Sequence, residues 1–195
     1  MHGRRRFRQR PATALLRPMT ASSRRPRPPL LVRPATLTDL GAVAAIYNAG
    51  IRGRRATFEV RERTPEELAP WLIDEARPFL VAEAEAGDVV GWIHASAYRA
   101  RACYDGIADF SVYVAIAAQG QGVGDALMAA FLPACEARGI WKVLSRVFPE
   151  NTASRALCAR HGFREVGTYV RHAQLDGVWR DVVIVERLLG PALAP

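Results

Sequence analysis

The chain has 195 residues, half of them apolar, with 27 basic and 19 acidic residues and a formal charge of +8. That length suits one domain with a real core, and no stretch approaches the roughly 20 apolar residues of a membrane-spanning helix. Residues 1–29 hold nine arginines and no acid, so the remaining chain carries one acid more than it has bases, and the charge does not imply a nucleic-acid-binding face on the domain itself.

The opening 29 residues are rich in Arg, Pro and Ser and lack spaced apolar positions, which predicts a disordered extension. Its longest apolar run, "ATALL", is too short for a secretory leader. The acid-free composition also suits a transit peptide, but a dispensable extension is the preferred reading. "LLVRPA" (30–35) reads as a strand, followed by a helix over 36–50 with Thr38 or Asp39 near its cap and Leu40, Val43, Ile46 and Tyr47 on one face. "TPEEL" (64–68) has the form of a capping box with proline at the first helical position, and turns Leu68, Trp71 and Leu72 inward.

Residues 78–98 alternate like two strands around Ala86-Gly87-Asp88, which predicts an antiparallel hairpin. A strand over 107–116 runs into a glycine-rich loop. A helix from Gly124 to Arg138 then places Leu127, Phe131, Leu132 and Cys135 on one face, with Pro133 expected to kink it. "WKVLSRVF" (141–148) is a buried strand reached by a crossover, hence parallel to 107–116. A short helix within 149–163, capped by Asn151, and two strands around Leu175-Asp176-Gly177 complete the chain. The pattern predicts an α/β (α+β) domain over 30–190, with a mixed, mostly antiparallel sheet and helices on its faces.

Cys103, Cys135 and Cys158 are odd in number and lack CxxC spacing, which points to a reducing compartment, the cytoplasm. The four histidines show no metal-ligand spacing, so no metal is expected.

The loop "AAQGQGVGDALMAAF" (117–131) sets Gly120, Gly122 and Gly124 before a helix start, where close backbone approach and unpaired N–H groups favour an anion. Neither the dinucleotide-binding nor the P-loop spacing is present. Gln119-Gly120-Gln121-Gly122-Val123-Gly124 instead resembles the Q/R-x-x-G-x-G/A signature of the Gcn5-related N-acetyltransferase (GNAT) superfamily. "SVYV" (111–114), "PENTAS" (149–154) and "HGF" (161–163) match in turn, and together the likeness spans residues 32–189. The resemblance implies a GNAT fold with a cofactor cleft between two parallel strands. It implies acetyl-CoA as co-substrate, with pantetheine along Val112, Tyr113 and Val114, pyrophosphate on Gly120, Gln121, Gly122, Val123, Gly124 and Asp125, and Asn151 near the thioester end. As a plain helix cap, Asn151 has a second explanation.

Within that superfamily, "RPATLTDLGAVAAIYNAGI", "ATFE", "YRARACYDGIADFSVYV" and "LDGVWRDV" resemble the phosphinothricin and methionine sulfoximine N-acetyltransferases, and "SRVFPENTASRAL" and "GFREVG" their arsinothricin-resistance relatives. The resemblance implies transfer of acetyl to the α-amine of a small acidic amino acid or toxic analogue by direct attack in a ternary complex. It implies that Arg99 and Arg101 grip the substrate's acidic end, followed by Tyr104, with Phe58 as an aromatic wall. In an extended segment, residues i and i+2 point the same way, so the two guanidiniums suit one anion. The general-base glutamate of the family falls at Asp109, one methylene shorter, which favours a bridging water. Cys158 stands where superfamily members carry a tyrosine or histidine acid. A buried cysteine is more often an apolar filler, so no general acid is assigned. Trp179 and Asp181 share a face of the last hairpin, with core packing expected for Trp179, and lining of the substrate mouth or a dimer contact as the other uses of that face. Rival functions are a protein N-terminal or aminoglycoside acetyltransferase, and a nucleic-acid-associated regulator working through the basic extension.

Overall fold

The computed structural model describes residues 30–193; the extension expected to be disordered, 1–29, lies outside the described residues. Strand β1 (Leu30–Pro34) leads into a single 3₁₀ turn, Leu37–Asp39, and then α1 (Leu40–Gly53). Of the two cap candidates, Asp39 stands at the N-cap of α1, and it also closes a capping box with Thr36, whose backbone N–H donates to the Asp39 carboxylate at 2.7 Å. The Thr64–Glu67 capping box forms as expected, but α2 (Pro65–Leu68) is one turn long and passes into 3₁₀ at Ala69–Leu72, because Pro70 provides no N–H to continue it. Leu68 is buried, while Trp71 and Leu72 are only partly so.

Strands β2 (Phe79–Ala84) and β3 (Val89–Ala97) form the predicted hairpin, with Gly87 at φ +86° in its turn. Next come β4 (Ile107–Val114), α3 (Val123–Glu136), β5 (Lys142–Val147) and α4 (Thr152–Arg160), then the long ribbon of β6 (Arg164–Leu175) and β7 (Val178–Leu188). The seven strands form one sheet in the order β1-β2-β3-β4-β5-β7-β6. Every neighbouring pair is antiparallel except β4 and β5.

Strand alternation sends the two faces of this sheet to different cores. On one face Ile93, Ala95, Ala108, Phe110 and Val143 meet Leu127, Met128 and Phe131 of α3 and Leu157 and Cys158 of α4. On the other, Val81 and Trp92 meet Leu40, Val43 and Ile46 of α1. Truncating a side chain as enclosed as Leu127 or Phe131 costs about 2–5 kcal/mol, so α3 is fixed rigidly against the strands that lead into it.

The parallel pair is short. Strand β4 pairs with β5 only from Ile107↔Lys142 to Asp109↔Leu144, although β4 remains paired with β3 as far as Val114 and β5 with β7 as far as Val147. Beyond Asp109 the two strands part, and residues 110–114 of β4 present an edge without a strand partner on that side among the described residues. The chain opens a fork at this point, with Asp109 at its head.

Candidate active site

At the far end of β4 the backbone turns through a 3₁₀ segment, Ile116–Ala118, into the glycine loop. Gly120 and Gly122 take φ +75° and +89°, conformations that a side chain would strain. Gln121 braces the loop by donating from Nε2 to the Ala117 carbonyl at 2.7 Å. Among the described residues, the backbone N–H groups of Gly120, Gly122, Val123, Gly124 and Asp125 have no backbone acceptor, and the last three form the first turn of α3 with its positive dipole end. Gly91 of β3 sits beneath: a Cβ there would lie 2.8 Å from Val123 and 3.0 Å from the Tyr113 carbonyl. This row of donors suits a pyrophosphate.

The side chain of Asp125 does not join that row. Its carboxylate accepts from Arg160 Nε and Nη2 at 3.0 and 3.1 Å and lies 3.2 Å from His161 Nε2, and the Arg160 contact holds it below the usual carboxylate range. Only its backbone is available to an anion.

Along β4, Val112 and Val114 pack towards the α3 core. Tyr113 turns the opposite way, its ring 4.8 Å from Trp92 and 5.0 Å from Tyr47, and its hydroxyl donates to the Ala56 carbonyl at 3.3 Å. Burial raises its pKa, so the phenol stays protonated. A Cβ at Gly50 would come within 2.7 Å of that ring, which explains a glycine inside α1.

Asp109 lies on the same face as Tyr113, opposite Ser96 of β3. Its Oδ1 accepts from Arg146 Nη1 at 2.8 Å, so an ion pair stands where β4 and β5 separate. Burial pushes the Asp109 carboxyl up and Arg146 pulls it back, with burial prevailing.

On the β5 side of the opening, Asn151 caps α4. Its Oδ1 accepts from the Ser154 N–H at 3.1 Å, and its Nδ2 donates to the Arg55 carbonyl at 3.4 Å. The cap is real, and it also ties α4 to the segment carrying Phe58. Phe58 packs edge-on against Phe148 at 4.9 Å, close to His172, Leu175 and Val182. Arg180 covers the Phe148 ring at 5.1 Å and pairs with Glu150, and Arg54 reaches Asp176 in the last turn at 2.9 Å. The Phe58 wall therefore joins three separate segments.

Arg99, Arg101 and Tyr104 form a second group, on the loop between β3 and β4. Both arginines are exposed and neither makes a hydrogen bond or ion pair through its side chain with another described residue. Arg99 lies over the Tyr98 ring at 5.2 Å, and Tyr98 meets Tyr104 edge-on at 5.7 Å, so two aromatic rings stiffen the loop. Cys158 is buried in the α3–α4 core with its thiol pushed up to about 11 by burial, which suits an apolar filler. Trp179 corrects an expectation: it is 55% exposed instead of packed in the core. Its companion Asp181 accepts from the Arg171 N–H at 2.7 Å, across an irregular stretch of β6 where Arg171 has φ +50°.

Arg146, Phe148 and Arg180 are the neighbours that sequence reasoning missed. The signal for Arg146 was a lone charge within the mostly apolar "VLSRVF". Among the described residues no group of three or more His, Cys, Asp or Glu is placed to hold a metal.

Comparison with known proteins agrees with this geometry. Residues 45–163 match the model of the acetyltransferase (GNAT) family. The chain is 36% identical to phosphinothricin N-acetyltransferase of Streptomyces coelicolor, over 81% of this chain and 95% of that protein. It is 31% identical to the L-methionine sulfoximine/L-methionine sulfone acetyltransferase of Pseudomonas aeruginosa, over 82% and 95%. Its fold superposes with a TM-score of 0.80 on a GNAT superfamily phosphinothricin acetyltransferase from Sinorhizobium meliloti solved in complex with acetyl-CoA, 28% identical, covering 85% of this chain and 91% of that one. A forked parallel pair opening onto acceptorless N–H groups, together with these matches, establishes that the chain belongs to the GNAT acetyltransferase family.

Proposed function

We propose that this N-acetyltransferase moves the acetyl group of acetyl-CoA to the α-amine of a small acidic amino acid, or of a phosphinate, arsinate or sulfoximine analogue of one. The observation that carries the proposal is the position of Asp109 on the last rung shared by β4 and β5, at the head of the fork and paired with Arg146. Gly120, Gln121, Gly122, Val123, Gly124 and Asp125 would hold the pyrophosphate by backbone N–H groups, Val112–Val114 the pantetheine arm, and Asn151 the end near the thioester. The bound coenzyme supplies an activated acyl group, and the chain's own residues do the rest.

An α-amino group is largely protonated near neutrality, and the resulting ammonium has no lone pair with which to attack a thioester. Asp109, ionised, accepts its proton through a bridging water, which suits a carboxylate one methylene shorter than glutamate. Arg99 and Arg101, without a carboxylate partner among the described residues, meet the acidic end of the substrate beside Tyr104, and Phe58 walls the pocket. The relatives that act on phosphinothricin and methionine sulfoximine support this substrate class. We further propose that the chain works in the cytoplasm, in keeping with its free cysteines, and as a homodimer.

The test is acetyl-CoA-dependent thiol release with phosphinothricin, arsinothricin, methionine sulfoximine, glutamate, an aminoglycoside and an N-terminal peptide. Turnover confined to the acidic amino acids is the expected result. Preference for the peptide or the aminoglycoside would overturn the substrate class while leaving the coenzyme site intact.

A further inference from the structure

The Asp109–Arg146 pair is only half used. Of the five N–H donors of a guanidinium, Arg146 gives one to Asp109 Oδ1, and the others have no protein acceptor among the described residues. Asp109 Oδ2 likewise has no partner there, and the Arg146 side chain is 38% exposed. Arg146 stands two residues beyond Leu144, the last β5 residue paired with β4, and so on the Asp109 face where the fork opens. A free carboxylate oxygen and free guanidinium donors are thus held side by side.

An α-amino acid carries the complementary charges, an ammonium and a carboxylate on one carbon. An amine delivered to Asp109 brings its own α-carboxylate to whatever lies next to Asp109. Arg99 and Arg101, on a separate loop, remain for the distal acid. We infer that Arg146 receives the α-carboxylate of the substrate, so that the Asp109–Arg146 pair selects α-amino acids over simple amines. This inference rests on the proposal that Asp109 accepts the amine proton of an acidic amino acid.

The experiment compares phosphinothricin with its α-carboxamide on the wild type, R146Q, R146K and D109N. Compared at a pH above the acid limb of each protein, R146Q is expected to lower kcat/KM for the acid about 10- to 100-fold more than for the carboxamide, the range for a hydrogen bond to a charged group. R146K, which keeps the charge but loses the planar fork, should show a smaller difference in the same direction. If R146Q does not fold, the R146K comparison carries the same test. Equal losses on both substrates would make Arg146 merely a support for Asp109 and overturn the inference, as would no loss on the acid. D109N separates the two claims: it should lower turnover of both substrates, and retained turnover would remove Asp109 as the base. If the wild type acetylates neither compound, the substrate class falls, and the inference with it.

Discussion

Asp109, the proposed base, is subject to two opposed effects, and their balance sets the pH range in which it is ionised. Burial disfavours the ionised form and Arg146 favours it, and the net result lies above the ordinary aspartate value of about 3.9. A base must be ionised to act, so activity is present above its pKa and is lost as pH falls through it. The acid limb of kcat/KM is therefore expected at higher pH than for an exposed aspartate. Asp109→Asn should lower kcat about 10²- to 10⁴-fold and abolish that limb, with acetyl-CoA affinity unchanged. A pH–rate profile of the two proteins checks this, and an unaltered limb in the variant would assign it to another group. Asp109 was legible as a candidate base because a family motif surrounds it. Arg146 was not, because its partner comes from a strand 37 residues away and only the register of the parallel pair brings them together.

The elements with strong local chemistry were legible and the non-local ones were not. Gly87 marks the β2–β3 turn, Asn151 the start of α4 and Gly177 the last hairpin, each by a backbone or cap preference that acts within a few residues. The fork is invisible locally, since it depends on how many rungs β4 and β5 share. Trp179 misled because alternation fixes which residues share a face but not what covers that face. The β1–α1 junction shows how much a local device can contribute. Asp39 accepts from Arg33 Nη1 and Nη2 at 2.8 and 2.9 Å and from the Thr36 N–H, while itself buried. These contacts, led by Arg33, lower its pKa to about 2. A depressed carboxylate contributes stability that is present above the unfolded pKa and lost as pH falls through the folded one. Asp39→Asn is thus expected to cost about 2 kcal/mol at pH 7 and little near pH 2. Denaturant unfolding of both proteins at the two pH values measures this, and an equal cost at both would assign the loss to packing.

At the scale of the molecule, the two edges of the sheet differ. The β1 edge is a short strand of five residues, whereas the other edge is the β6–β7 ribbon, which carries Val166, Tyr169, Val170, Val178 and Trp179, each at least half exposed. Single exposed apolar residues are ordinary, but five on one ribbon, spread over both of its faces, leave apolar area that water disfavours and that a second copy can cover. A two-fold contact would place each ribbon against its equivalent and bury the same residues from both sides. The breaks in pairing between Glu165 and Gly167 and between Tyr169 and Ala173 blunt this edge for open-ended strand addition, which favours closed association by side chains over a growing sheet. The proposed homodimer is therefore expected to use this ribbon. Val170→Glu combined with Trp179→Glu should convert a dimer to a monomer in light scattering coupled to gel filtration, while the thermal transition of each protomer changes little, because neither side chain is part of a core. A dimer that survives both substitutions would move the interface elsewhere, and a wild-type monomer would leave these side chains available as the outer rim of the pocket that Phe58 and Phe148 begin.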